Sequence, residues 1–293
     1  MYNILVTGSN GQLGSELREL SRDFRQYQFF FTDLAELDVT DKNVIQKLIV
    51  QNQINSIINC AAYTAVDKAE SEPEMADKIN HIAVKNLAEA AKTCNCKIIH
   101  ISTDYVFDGT NHQPYIETDA ANPQSVYGST KLAGELALMN VNPRNSIIIR
   151  TSWVYSSYGN NFVKTMLKQG KERDELNVID DQIGTPTYAK DLALVILETL
   201  PLLTNEKVEI YHFSNEGVCS WYDFAKAIFE LTDTTLIVNP IKTAQYPTVA
   251  KRPHYSILNK SKIKETFSIT IPHWKKSLKE CLNKLDNKND SNI

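Results

Sequence analysis

No apolar stretch in these 293 residues approaches the roughly 20 that a membrane-spanning helix needs. The first residues run straight into a predicted strand, without the charged and apolar regions of a signal peptide. Basic residues do not outnumber acidic ones: 31 Lys and Arg stand against 35 Asp and Glu, for a net charge of -4. The basic stripe of a phosphate-backbone binder is therefore missing. The five cysteines (Cys60, Cys94, Cys96, Cys219 and Cys281) are odd in number and scattered, which fits a reducing compartment rather than a disulfide framework. The six histidines show no ligand spacing, and Cys94 with Cys96 is too small a group to hold zinc unaided. Internal repeats and low-complexity linkers are absent as well. These absences leave a cytoplasmic globular protein, with neither nucleic acid nor membrane as a partner and no metal site of its own.

What is present is ample core material, 42% apolar against 23% charged residues, enough for one large α/β unit with a smaller appended lobe. Residues 2–6 form a short apolar run, followed by Thr7-Gly8-Ser9-Asn10-Gly11-Gln12-Leu13-Gly14 and a helical pattern through Leu17 and Leu20. Strand, glycine turn and helix in that order let a backbone approach a pyrophosphate at a helix N-terminus. The spacing is Gly-x-x-Gly-x-x-Gly, and no Gly-Lys-Ser/Thr follows, so it is not a P-loop. A glycine-rich turn without a ligand is the plain alternative. A second strand, 28–31, ends in Thr32-Asp33 about 20 residues past the loop, where a carboxylate meets ribose hydroxyls; a strand-end turn residue would look the same. No Arg or Lys lies between Phe29 and Asp41, so the charge pattern favours NADH at least as much as NADPH.

Helix 41–51, strand 56–59, the small-residue turn Cys60-Ala61-Ala62-Tyr63-Thr64, helix 80–92 and strand 97–101 continue the alternation. The charged segment Asp67 to Glu72 between them reads as a solvated helix start. Strand 97–101 runs into Ser102-Thr103-Asp104; helix 127–139 and strand 146–150, ending in Thr151-Ser152-Trp153, complete the series. This pattern predicts a Rossmann-type α/β fold, a doubly wound parallel sheet whose ligands gather at the carboxyl ends of the strands. Thr7-Gly8, Asp33, Ala61-Ala62 and Thr103 all fall at such ends. In the helix that follows, Tyr127 and Lys131 are four apart and share a face, which places a phenol beside an ammonium. Such a neighbour favours the phenolate and would bring the tyrosine towards neutral pH, although a surface helix pair has the same spacing.

Beyond residue 155 the rhythm loosens. Helices are expected at 161–169, 189–200, 220–231 (with Ser220 as N-cap) and 273–285, a strand and turn at 178–186, and a strand at 209–214. The organisation read from this is a dinucleotide-binding domain, 1–155, with a return segment near 183–214. A smaller C-terminal substrate-binding lobe would comprise 156–182 and 215–286, with 287–293 a frayed tail.

The glycines Gly8, Gly11 and Gly14, together with Ser102-Thr103-Asp104 and Tyr127/Lys131, identify a resemblance to the extended short-chain dehydrogenase/reductases. Longer matching stretches sharpen it to the nucleotide-sugar reductases among them: Ala61 to Glu70, Ser102 to Gly109, Val126 to Glu135, Arg150 to Tyr155, Gly159-Asn160-Asn161-Phe162 and Lys251-Arg252-Pro253. The resemblance implies NADPH- or NADH-dependent reduction of the C4 ketone of a dTDP-linked 6-deoxy sugar. Tyr127 would be the proton donor, Lys131 its electrostatic partner and ribose ligand, and Thr103 the hydroxyl beside the ketone. Asp104 and Trp153 would touch the sugar nucleotide. By their charge, Lys251 and Arg252 could meet its diphosphate as charge-assisted donors, or could be a solvated loop. Gly11, Gln12, Leu13, Asp33, Asp38, Val39, Ala62, Tyr63 and Thr64 would contact the cofactor. Some members of the family are described as magnesium-linked dimers through glutamates, one of which Glu16 could match; a homodimer is thus open, while the reading of the site itself remains without a metal. Related 4,6-dehydratases carry Asp-Glu after the threonine, whereas Tyr105 follows Asp104 here; a 4,6-dehydratase or 4-epimerase is thus the weaker reading. A non-catalytic regulatory subunit of the same fold would have no need of Tyr127, Lys131 and Thr103.

Overall fold

The structure is a computed structural model that describes residues 1–290, with side chains through Asn287. Chain order begins with β1 (Tyr2–Thr7), α1 (Gln12–Leu20), β2 (Tyr27–Phe31), α2 (Lys42–Gln51) and β3 (Ser56–Asn59). Next come α3 (Val66–Ala69), α4 (Pro73–Asp77), a π-helical turn (Lys78–Ile82), α5 (Ala83–Thr93), β4 (Lys97–Thr103), α6 (Val126–Val141) and β5 (Ile147–Thr151). The remainder is β6 (Val154–Tyr155), α7 (Phe162–Glu172), β7 (Glu175–Ile179), β8 (Ile183–Gly184), β9 (Thr187–Tyr188), α8 (Ala189–Thr199), β10 (Glu209–His212), β11 (Cys219–Ser220), α9 (Trp221–Leu231), β12 (Ile237–Ile241), α10 (Ser261–Phe267) and α11 (Trp274–Asp290).

Six strands form one parallel sheet in the order β10-β5-β4-β3-β1-β2. The order reverses at β1, where the chain first builds outward to β2 and then returns on the other side to β3. A crevice opens at such a switch point, outside the carboxyl ends of the strands. Successive residues of a strand point to opposite faces, and the two cores divide accordingly. Ile4, Val6, Ile58 and Ile99 pack with Leu17 of α1 and Leu192 and Ile196 of α8. Leu5, Ile57 and Ile98 pack on the other face with Ile45 of α2 and Leu87 of α5. A third core, built on Tyr155, Val163, Phe224, Ile228 and Leu278, belongs to the C-terminal elements. Among the described residues no helix is long and apolar enough to cross a membrane.

The departures from expectation have local causes. The helix predicted to start at residue 80 starts at Pro73, at N1, where the missing N–H of proline goes unneeded. β12 was not foreseen because it contains Pro240, a residue that normally breaks a central strand. It survives in a two-stranded pair with β7, an edge setting that tolerates a missing donor. The strand expected at 178 begins at Glu175 for the same pairing. Ser220 does cap its helix, accepting from the Asp223 N–H while Asp223 accepts from the Ser220 N–H. The tail expected to fray from 287 is helical through Asp290; 291–293 lie outside the described residues.

Two glycines fix how closely α6 sits. A Cβ on Gly134 would run into the carbonyl of Asn80, and one on Gly128 into the carbonyl of Tyr105. Farther along α6, Glu135 accepts from Arg150 of β5 through Nε (3.0 Å) and Nη2 (2.7 Å), both side chains being almost fully buried. Removing one partner of such a pair leaves an uncompensated buried charge. Glu135→Ala is expected to cost about 3–5 kcal/mol, measured by urea denaturation.

Candidate active site

The crevice at the switch point is a cavity of about 920 Å³, lined from the carboxyl ends of β1, β2, β3, β4 and β5. Gly8, Gly11, Gln12 and Leu13 line its floor, Asp33, Asp38 and Val39 one end, and Ala62 and Thr64 a wall. Thr103, Asp104, Tyr127, Lys131 and Trp153 line the other end. Most of the residues singled out in the sequence thus share one space.

The glycine turn is shaped for close approach. Gly8 holds φ +63°, and a Cβ there would lie 2.7 Å from the Ala61 backbone. No side chain caps α1 at Gly11, so the helix presents its N–H groups and partial positive charge at the cavity floor. These features fit a dinucleotide pyrophosphate. Gly14 does not line the cavity: a Cβ there would strike the Ser9 and Gly8 backbone, so its role is to let α1 pack on the turn. At the end of β2, Asp33 accepts from the Asn10 N–H and the Leu34 N–H, both at 2.9 Å.

Tyr127 and Lys131 do share the inner face of α6, but their electrostatics differ from the expectation. Burial pushes the Tyr127 phenol up to about 12, with the Thr103 hydroxyl alongside offsetting only part of that. Lys131 is not among the causes. Its ammonium, buried to 1% exposure, donates to the Ile101 carbonyl at 2.6 Å, and burial brings it down to about 8. The pair is therefore tuned by desolvation rather than by attraction between its members. Thr103 donates to Asp104 Oδ1 at 3.0 Å and accepts from the Tyr105 N–H. Asp104 is buried, its Oδ2 lacks a partner, and burial lifts its carboxyl to about 7. Trp153 is held at φ +49°, stacked on Trp221 at 3.6 Å between ring centroids.

Three candidates lie elsewhere. Tyr63 turns away from the cavity and donates to Glu72 at 2.7 Å. Arg252 is outside the lining; its fork is taken by Asp67 at 2.7 and 3.0 Å, which holds the Asp67 carboxyl below its usual range. Asp67 is thus a tether between the β3 loop and the C-terminal lobe, where its segment had read as merely solvated. Glu16 is fully buried, accepting from Ser156 and Lys284 at 2.5 and 2.8 Å. A carboxylate so committed does not fit Mg2+ binding, and no metal-ligating cluster occurs among the described residues.

Other residues gained a place that the sequence did not assign. Asn80, in the π-turn, accepts from the Tyr63 N–H and donates to the Tyr63 carbonyl and Thr130, clamping the Ala62–Thr64 wall to α6. Its signal is weak: one asparagine inside a helical run. Gly159 and Asn160 also line the cavity.

The model of a family described as the RmlD substrate binding domain matches residues 2–287. A dTDP-4-dehydrorhamnose reductase of Aggregatibacter actinomycetemcomitans is 46% identical over 288 residues, covering 95% of this chain and 98% of that one. The reductase of the same name from Escherichia coli K12 is 41% identical, covering 97% and 98%. Among solved structures, a dTDP-4-dehydrorhamnose reductase of Bacillus anthracis in complex with NADP superposes with a TM-score of 0.92 at 38% identity, over 97% of this chain and all of that one.

The raised carboxyl of Asp104 has a stability signature. The folded state holds that proton more tightly than the unfolded chain, so the stabilisation it gives is complete below the ordinary aspartate value. It is lost as pH rises through about 7. Asp104→Asn should remove this decline, gaining up to ~4 kcal/mol on wild type between pH 4 and pH 8. Denaturation midpoints across that range check it.

Proposed function

Because the chain belongs to the RmlD substrate binding domain family, we propose that it is a nicotinamide-dependent reductase of dTDP-4-dehydrorhamnose, giving dTDP-L-rhamnose. The observation that carries the reading is the convergence of Tyr127, Lys131 and Thr103 at one end of a cavity whose other end is a glycine-floored nucleotide cradle.

The reduced nicotinamide, when bound, supplies the hydride. This chain's residues deal with the oxygen. As the C4 carbonyl gains a hydride it becomes an alkoxide, and Tyr127 gives its phenolic proton to O4. A phenol near 12 keeps its proton at neutral pH and yields it only when a stronger base, the alkoxide, develops beside it. Thr103 is the hydrogen-bond donor to that oxygen, releasing Asp104 to do so; Lys131 adds positive charge for the tyrosinate left behind and a donor for the ribose. Asp104 and Trp153 hold the sugar nucleotide. Gly11, Gln12, Leu13, Asp38, Val39, Ala62 and Thr64 flank the cofactor, and Asp33 meets the adenosine ribose. A carboxylate at that point suits NADH; the B. anthracis relative holds NADP, and both cofactors are substrates in this reading.

Mixing the protein with NADPH or NADH and dTDP-4-dehydrorhamnose should consume reduced cofactor in a one-to-one ratio with product. A dehydratase or epimerase would recycle its cofactor instead, and that outcome would sink the reading. Tyr127→Phe should lower kcat by about 10²–10⁴ while leaving NADPH affinity near wild type. Thr103→Val should lower kcat by about 10²–10³, the range for a lost donor to a developing oxyanion. Steady-state kinetics with a cofactor titration separates the two effects.

A further inference from the structure

Behind Lys131, a line of polar side chains that the mechanism does not use runs through the sheet. Thr7 at the end of β1 donates its hydroxyl to Asn59 Oδ1 at 2.7 Å, and the Ala61 N–H donates to the same oxygen at 3.2 Å. Two donors on one amide oxygen fix the orientation of the Asn59 amide. Its Nδ2 must then face His100 of β4, whose Nδ1 is 3.0 Å away. An amide N–H can only donate, so Nδ1 is the unprotonated nitrogen of this imidazole. Burial of His100, which has no exposed surface, keeps the ring neutral, and its one N–H therefore sits on Nε2. That nitrogen lies 3.5 Å from Lys131 Nζ.

An ammonium has three donors and no acceptor, so it cannot pair with an imidazole N–H; a neutral amine can accept from it. We propose that Thr7, Asn59 and His100 form a tautomer lock that keeps the imidazole proton on Nε2, facing Lys131, and so makes the active-site lysine easy to deprotonate. His100 and Asn59 are positioning residues in this scheme, acting only through Lys131. The charged and titratable groups around Lys131 are Glu135 on its own helix, which favours the ammonium, Tyr127 one turn back on the same face, which stays neutral near pH 7, Cys60 at the end of β3 and His100 on β4; Arg150 of β5 neutralises Glu135. The lowering of Lys131 by burial acts in the same direction as the lock. The inference rests on the reductase reading for its kinetic consequence but not for its structural one.

The lock predicts a pH effect whose direction can be reversed by one atom. In Asn59→Asp the carboxylate accepts from Thr7, from Ala61 and from His100, so the imidazole proton must move to Nδ1. Nε2 then becomes an acceptor for the Lys131 ammonium. Reduction needs the ammonium and fails as pH rises past its pKa, so the alkaline limb of kcat/KM should move up by about one pH unit or more in this variant. A bare charge at 59 could also shift it; Asn59→Asp combined with His100→Leu measures that alone and should shift the limb much less. Equal shifts in the single and double variants would overturn the proposal. The tautomer is read directly, without turnover, from nitrogen–proton correlations in a histidine-labelled wild-type protein. An Nε2–H ring is expected, and an Nδ1–H ring would overturn the lock even if the variants fail to fold. If wild type shows Nε2–H but reduces no ketosugar, it is the reductase reading that fails.

Discussion

The close approach of α6 to the turn that follows β4 and to the π-turn is the constraint on which the site depends. Gly128 lies against the Tyr105 carbonyl and Gly134 against that of Asn80; any side chain at either position would push the helix away from these turns. With the helix down, Tyr127 and Lys131 are carried below the cavity wall and stripped of water. Desolvation raises the phenol to about 12 and lowers the ammonium to about 8, driving apart two groups that ordinarily lose their protons at nearly the same pH. The intuitive account, a cation sharpening a phenol by attraction, is not how these two side chains are arranged in the structure. They are brought together by a shared burial that the glycines permit.

Burying these groups is costly, and the surrounding structure offsets the cost with groups that are themselves well partnered. Glu135 lies one turn beyond Lys131 and favours its ammonium, while Arg150 ties Glu135 to β5. The Ile101 carbonyl takes a hydrogen bond from Lys131. On the sheet side, His100 and Asn59 fill the space between β3 and β4 with a chain of hydrogen bonds where an apolar pair would have packed more simply. A buried polar chain of this kind holds a single arrangement because every alternative leaves a donor or acceptor unmet. Two atoms depart from this: Arg150 Nη1 and Asp104 Oδ2 make no hydrogen bond among the described residues, and Asp104 lines the cavity.

Much of this was legible in the sequence because it rests on periodic or local signals. The alternation of apolar strands with helical runs, the glycine turn and the strand ends at Asp33, Ala61-Ala62 and Thr103 all follow from spacing along the chain, and the cavity gathers them. What escaped notice depends on contacts between distant segments. Arg252 read as a free cation because Asp67, its partner, is far away in the chain; Glu16 read as an available carboxylate because Lys284 is farther still. Tyr63 is adjacent to two cavity residues yet faces outward, because the Asn80 amide fixes its backbone. His100 gave no signal at all, being one polar residue among the isoleucines Ile98, Ile99 and Ile101.

The residue after Asp104 bears on why this scaffold should reduce rather than dehydrate or epimerise. A dehydratase of the resembling kind places a second carboxylate there, to pair an acid with a base across the sugar. Tyr105 instead packs edge-on against Tyr127 at 5.5 Å between ring centroids, and burial drives its phenol still further from neutrality than that of Tyr127. A phenol so raised keeps its proton at neutral pH and cannot serve as the base that a second carboxylate would provide there. The site is left with one carboxyl near neutrality at 104 and one protonated phenol at 127. That inventory suffices to protonate an alkoxide and lacks the second carboxylate that would pair an acid with a base across the sugar.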